Sequence, residues 1–141
     1  MTYTNELKIG DKLETLHLKV TRELNKQFCE ALDCKNAIYK NVVHPALLIN
    51  FSNVPKSPSY KLDKGFAAIH THADIIINDF GVIDQTFDIN WTVVDIYEKR
   101  NKTYQIMEVM VNCGDKNIIR RRSTNIYVNR EILAGQPRKA M

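Results

Sequence analysis

The stretch that decides the fold is Pro45-Ala-Leu-Leu-Ile-Asn-Phe51. It opens on a proline, which suits the first turn of a helix. It is apolar on nearly every side, so it needs cover from other elements rather than a place on the surface. Downstream the pattern changes to period two. Ile69, Thr71, Ala73, Ile75 and Ile77 alternate with His70, His72, Asp74 and Asn78, and Asn78-Asp-Phe-Gly81 reads as a turn. Phe87, Ile89, Trp91 and Val93 alternate with Asp88, Asn90 and Thr92. Turn signals at Glu98–Lys102 and Cys113–Lys116 then separate two further strands, Tyr104–Asn112 and Asn117–Val128. Three long strands joined by tight turns form an antiparallel meander. The class is α+β: a long antiparallel sheet hiding its apolar side against Leu47, Leu48, Ile49 and Phe51.

Upstream, Leu7-Lys-Ile-Gly-Asp11 is turn-like, and Leu16, Leu18 and Val20 alternate with His17 and Lys19 as in a half-buried strand. Thr21 serves as an N-cap. Leu24, Phe28, Ala31 and Leu32 then recur at helical spacing, with Arg22, Glu23, Lys26 and Gln27 facing water. This helix ends near Asp33. Ser52–Lys64, with its prolines, serines and lysines, reads as an exposed connection.

A chain of 141 residues suits one domain, placed at residues 1–130, with residues 131–141 as a frayed tail. No apolar run approaches the ~20 residues of a membrane span, and the first residues lack signal-peptide character. Cys29, Cys34 and Cys113 are an odd set without metal-ligand spacing, as expected of reduced thiols in the cytoplasm. The net charge of +4 is mild. It favours anionic partners such as phosphorylated cofactors or acidic carrier proteins without singling out nucleic acid.

Polar groups crowd between the two helices. Ala31-Leu-Asp-Cys-Lys-Asn-Ala-Ile-Tyr39, followed by Val42-Val-His-Pro45, places Asp33, Cys34, Asn36, Tyr39 and His44 within a dozen residues. Such a loop beside a β meander is the candidate site. The same residues also have structural readings. Asp33 and Asn36 suit a helix cap or an Asx turn, Tyr39 a packed aromatic, and His44 a bond to a carbonyl. His70, His72 and Asp74 share one face of a regular strand, a spacing that also arises where a strand turns its polar side to water; no metal is assigned. Arg120-Arg-Arg122 alternates between strand faces, and together with Lys99, Arg100 and Lys102 reads as a solvated sheet edge. No nucleic-acid motif accompanies it.

The order of these segments resembles the MaoC-like hydratase and dehydratase families, which have the hotdog fold. Those families carry Gly-Asp-x-Asn-Pro-Ile-His/Tyr after their first helix. Asp33-Cys-Lys-Asn-Ala-Ile-Tyr39 aligns with that pattern without a gap. Lys8-Ile-Gly-Asp11, Thr21, His44-Pro45, Ile69-His70 and Val94-Asp-Ile-Tyr-Glu-Lys-Arg100 follow in the same order, so the resemblance covers residues 7 to 128. It is strongest to the degenerate N-terminal half of two-part dehydratases, whose motif ends in Tyr. The resemblance implies binding of an acyl thioester, carried by coenzyme A or acyl carrier protein, and no cofactor. It also implies pairing by sheet extension into a homodimer, or a heterodimer with a catalytic hotdog subunit.

In the family, an Asp and a His add or remove water across a double bond beside the thioester carbonyl. Here Cys34 stands at the Asp position and Tyr39 at the His position. Unperturbed, these side chains titrate near ~8.5 and ~10, which makes neither a good base at neutral pH. The remaining catalytic candidates are Asp33 and His44, with Cys34, Asn36, Tyr39 and His44 as substrate-binding residues. The expected function is therefore a catalytically degenerate subunit beside an active partner. The alternatives are a self-sufficient hydratase, a thioesterase using Cys34 and His44, and a non-catalytic acyl-CoA-binding regulatory module.

Overall fold

The computed structural model describes residues 2–131, so all but the first residue of the expected tail lies outside it. The main elements are β1 (Leu16–Lys19), α1 (Arg22–Ala31), α2 (Pro45–Phe51), β2 (Phe66–Ile77), β3 (Thr86–Lys99), β4 (Lys102–Cys113) and β5 (Lys116–Asn129). The strands form one five-stranded sheet in the order β1-β3-β4-β5-β2. Every pairing is antiparallel. Between β3 and β4 the chain reverses through Arg100 and Asn101, both left-handed at φ 54° and 63°, which matches the sheet's twist.

Period two does its expected work in β3. Phe87, Ile89, Trp91 and Val93 are buried against Leu47 and Leu48 of α2, with Met107, Val109 and Val111 of β4 beside them. The sheet also supplies donors to the carbonyl end of α2, where a helix leaves its last acceptors unpaired. Trp91 Nε1–H donates to Ser52 O at 2.9 Å, and Arg121 Nη1 donates to Ile49 O at 3.3 Å. The sheet covers one side of the helix: Leu47 and Leu48 are buried, Ile49 and Phe51 half-buried, and Asn50 is exposed.

Four expectations change. Ser52–Lys64 is not simply an exposed connection, because Ser52, Val54 and Ser57 are buried and Ser57 Oγ donates to Glu14 O at 2.7 Å. On α1 Leu24 and Phe28 pack half-buried against the core as expected, but Asn25 and Cys29 are the buried positions and Ala31 and Leu32 are exposed. Along β2 the alternation breaks at Thr71, where a bulge shifts the register between His70 and His72. β2 is also an edge strand contributing nothing to the main apolar cluster, which leaves Ile69, Ile75, Ile76 and Ile77 exposed. Finally, Arg120–Arg122 lies inside the sheet: β5 sits between β4 and β2. Arg120 and Arg122 face out toward Glu108, and Arg121 is buried.

The turn before β3 presses on the core at Gly81. A Cβ there would stand 2.6 Å from Cζ of the buried Phe87 ring. Because the Gly81 carbonyl also accepts from Val43 N–H at 2.8 Å, the turn is not free to back away. Gly81→Ala is expected to lower unfolding stability by about 1–3 kcal/mol, read from urea denaturation.

Candidate functional site

The loop between the helices is built by three successive local devices. At the end of α1, Asp33 adopts φ 53°, Asp33 N–H donates to Glu30 O at 3.0 Å and Cys34 N–H to Cys29 O at 2.9 Å. This is a Schellman stop, in which the residue after the left-handed position folds back over the last helical turn. Asn36 Oδ1 next accepts from Ile38 N–H at 3.1 Å and opens a 3₁₀ turn at Ala37–Lys40. His44 then caps α2, its Nδ1 accepting from Ala46 N–H at 3.1 Å.

Asn25 ties these devices together. Its side chain is fully buried, donating to Tyr39 O at 2.8 Å and Val42 O at 3.1 Å and accepting from His44 N–H at 2.9 Å. Arg22 adds a bond to Lys40 O. No motif marks Asn25 in the sequence. Its signal was phase: it lies four residues before Cys29 on the side of α1 that faces inward.

A cavity of about 410 Å³ opens on this loop, lined by Cys34, Asn36 and Tyr39 together with Arg22, Lys26 and Lys40. Three of the proposed binding residues therefore share one concave, basic surface. His44 packs behind, its ring 4.5 Å from that of Tyr39 and 5.6 Å from that of Phe28. Asp33 stands apart, its side chain 89% exposed and 3.9 Å from Lys35 Nζ. Among the described residues no hydrogen bond links Asp33 with His44. With Nδ1 accepting, the neutral His44 ring carries its proton on Nε2 and so presents a donor there rather than a base. Cys29 is buried beneath Cys34; burial first, and the neighbouring Cys34 second, push its thiol upward.

The bulge at Thr71 also rearranges the β2 polar residues. His70 pairs opposite Asn125 and turns inward to Arg121, with Nε2 accepting from Nη2 at 3.4 Å. His72 pairs opposite Thr124 and Asp74 opposite Arg122, on the outer side, where His72 Nε2 meets Asp74 at 3.1 Å. The three do not share a face. No group of three metal-ligating side chains occurs among the described residues.

Asn25→Ala would strand two carbonyls and one N–H in a dry setting, and is expected to cost about 3 kcal/mol in urea denaturation. Desolvation first, then the Arg121 charge and His72, holds the His70 pKa below its ordinary value. The fold therefore prefers neutral His70. Its contribution to stability is complete above the ordinary value near ~6.5 and is lost as pH falls through the lower folded value. His70→Gln should flatten this part of the stability–pH profile measured by thermal unfolding.

No family model and no curated protein matches the sequence. Solved structures do match its fold. A hot-dog-like protein from Thermanaerovibrio acidaminovorans superposes with a TM-score of 0.68 at 11% identity, covering 95% of this chain and 93% of that one. A MaoC-like dehydratase from Rhodospirillum rubrum gives 0.70 at 12% identity over 92% and 97% of the two chains. A chain of the ChsH1–ChsH2 complex from Mycobacterium tuberculosis gives 0.65 at 11% identity over 82% and 86%. At these identities the likeness speaks for architecture. A five-stranded antiparallel sheet curled around a short apolar helix, with these neighbours along nearly its whole length, gives this chain the hotdog fold.

Proposed function

We propose that the chain, acting as a single domain of residues 1–130 in the cytoplasm, is an acyl-thioester-binding subunit of a MaoC-like hydro-lyase. On this reading it holds coenzyme A- or carrier-linked acyl groups while a partner hotdog subunit carries the acid–base pair. The observation that carries the reading is the cavity at Cys34, Asn36 and Tyr39. It lies at the position of the family's motif, is ringed by Arg22, Lys26 and Lys40, and contains no Asp–His pair. Basic side chains suit the phosphates of a pantetheine carrier, and the apolar parts of Tyr39 and Ala37 suit an acyl chain. His44 packs against Tyr39 rather than lining the cavity, so on this reading it positions the Tyr39 ring.

Partnership is supported by the β2 edge. Among the described residues its outer backbone groups have no neighbouring strand, and Ile69, Ile75, Ile76 and Ile77 are exposed along it. Unpaired edges of this kind invite sheet extension by a second chain. One structural neighbour is itself drawn from a two-protein complex.

The test uses the purified full chain with crotonyl-CoA, alone and with the partner that co-purifies from its native source. Calorimetry should detect binding by the chain alone, with hydration at least about a hundredfold slower than in the complex, the scale of a missing acid–base pair. Robust hydration by the pure chain would overturn the subunit reading. Binding without turnover beside every candidate partner would move the chain to the regulatory alternative.

A further inference from the structure

A second cavity, of about 350 Å³, opens near the carbonyl end of α2, between Val54, Pro55 and Tyr60 on one side and strands β2 and β5 on the other. Its β5 wall is polar where a core wall is ordinarily apolar. Arg121, Ser123 and Asn125 occupy three successive inward positions, and they are only 5%, 0% and 6% exposed. Each leaves one buried polar atom without a hydrogen-bond partner among the described residues: Arg121 Nε, Ser123 Oγ and Asn125 Nδ2. Arg121 and Asn125 line the cavity directly, and the exposed His70 stands at its rim.

Arg121 is partly accounted for by the helix it clamps. Nη1 reaches Ile49 O at 3.3 Å, Ser52 Oγ at 2.9 Å and Asn53 Oδ1 at 2.9 Å, and Nη2 donates to His70 Nε2 at 3.4 Å. All of these acceptors are neutral. None of the ion pairs among the described residues includes Arg121. A guanidinium removed from water and given no counter-anion is costly, as is each unmatched donor beside it. Burial accordingly lowers its pKa from the ordinary guanidinium value.

The residues that line the cavity define the complementary ligand. Arg121 and Asn125 set a guanidinium without a counter-anion and an amide beside it, with their unmatched Nε–H and Nδ2 closed off just behind the wall. Val54, Pro55 and the Tyr60 and Tyr127 rings offer apolar walls. We propose that this cavity is a binding site for a small organic acid, its carboxylate held by Arg121 and Asn125 and its apolar body by Val54, Pro55 and Tyr60. An acceptor-only, planar, two-oxygen anion meets the guanidinium and amide donors together, and a charge-assisted bond of this type is the strong kind. At this volume the occupant is small, at the lower end of ligand cavities. The site lies at the opposite end of α2 from His44 and does not rest on the thioester reading.

The experiment is calorimetric titration of the full chain with butyrate and benzoate, against their neutral isosteres butyramide and benzamide, and against inorganic phosphate. The expected result is saturable binding of at least one carboxylate, with its amide at least tenfold weaker. Asn125→Leu should weaken the carboxylate at least tenfold while leaving the thermal unfolding midpoint unchanged or higher, since it removes an unmatched polar group. Arg121→Lys keeps the charge but not the planar guanidinium, and should weaken binding similarly. If that variant fails to fold, Asn125→Leu alone decides. Absence of carboxylate binding, equal binding of the amides, tighter binding of phosphate, or unchanged affinity in folded Asn125→Leu would each overturn the assignment. Crotonyl-CoA titration of Asn125→Leu separates the two sites, because the cavity at Tyr39 retains its lining in this variant.

Discussion

The structure depends on how the sheet receives the carbonyl end of α2. A short helix docked on a sheet ends in carbonyls without helical partners, and each one left unpaired in a buried place, as at Ser52, would weigh against folding. Trp91, at the centre of β3, is fully buried and still places its indole N–H on Ser52 O. It fills the core with a large ring and satisfies a backbone acceptor with the same side chain. Arg121 supplies the next donors from β5. The helix is thus fixed at one end by the sheet and at the other by His44 and Asn25.

That arrangement explains why both cavities lie near the ends of α2. The middle of the helix is close-packed through Leu47 and Leu48, so no ligand-sized space remains there. At the ends the helix gives way to turns, and polar side chains gather to satisfy the backbone. Near the amino end they are Asn36 and Tyr39 under a rim of basic residues, with His44 packed behind Tyr39. Near the carbonyl end they are Arg121 and Asn125 under His70. The first set looks outward on an open basic surface, and the second inward on buried donors.

Much of this was legible from residue order. Pro45–Phe51 could not be a surface helix, and the regular alternation of Phe87, Ile89, Trp91 and Val93 could only be a strand with one dry face. The Asp33, Asn36 and Tyr39 segment was recognisable as a crowded loop, and the structural roles weighed for Asp33 and Asn36, a helix stop and a turn, are those the structure displays. Other features were hidden because they depend on pairing partners. A single extra residue at Thr71 turns His70 inward while His72 and Asp74 remain outward, and a bulge leaves no mark in the local pattern. Arg120–Arg122 looked like solvated charge because a run of like residues draws the eye to the run. Alternation, applied strictly, already placed Arg121 on the inward face with Ile119 and Ser123.

What the sequence by itself determined is the set of elements and their dry faces, since hydrophobic period and turn chemistry are local properties of the chain. Tertiary structure alone decided which strand lies at the edge, which polar residues are buried, and which groups meet. Asn25 bonds Tyr39, Val42 and His44 only after α1 and the loop are folded together. Arg121 becomes a buried cation with donors to spare only after α2 is laid across β5. Hydrogen bonding and desolvation depend on the whole surroundings of an atom, and those surroundings come from segments distant in the chain.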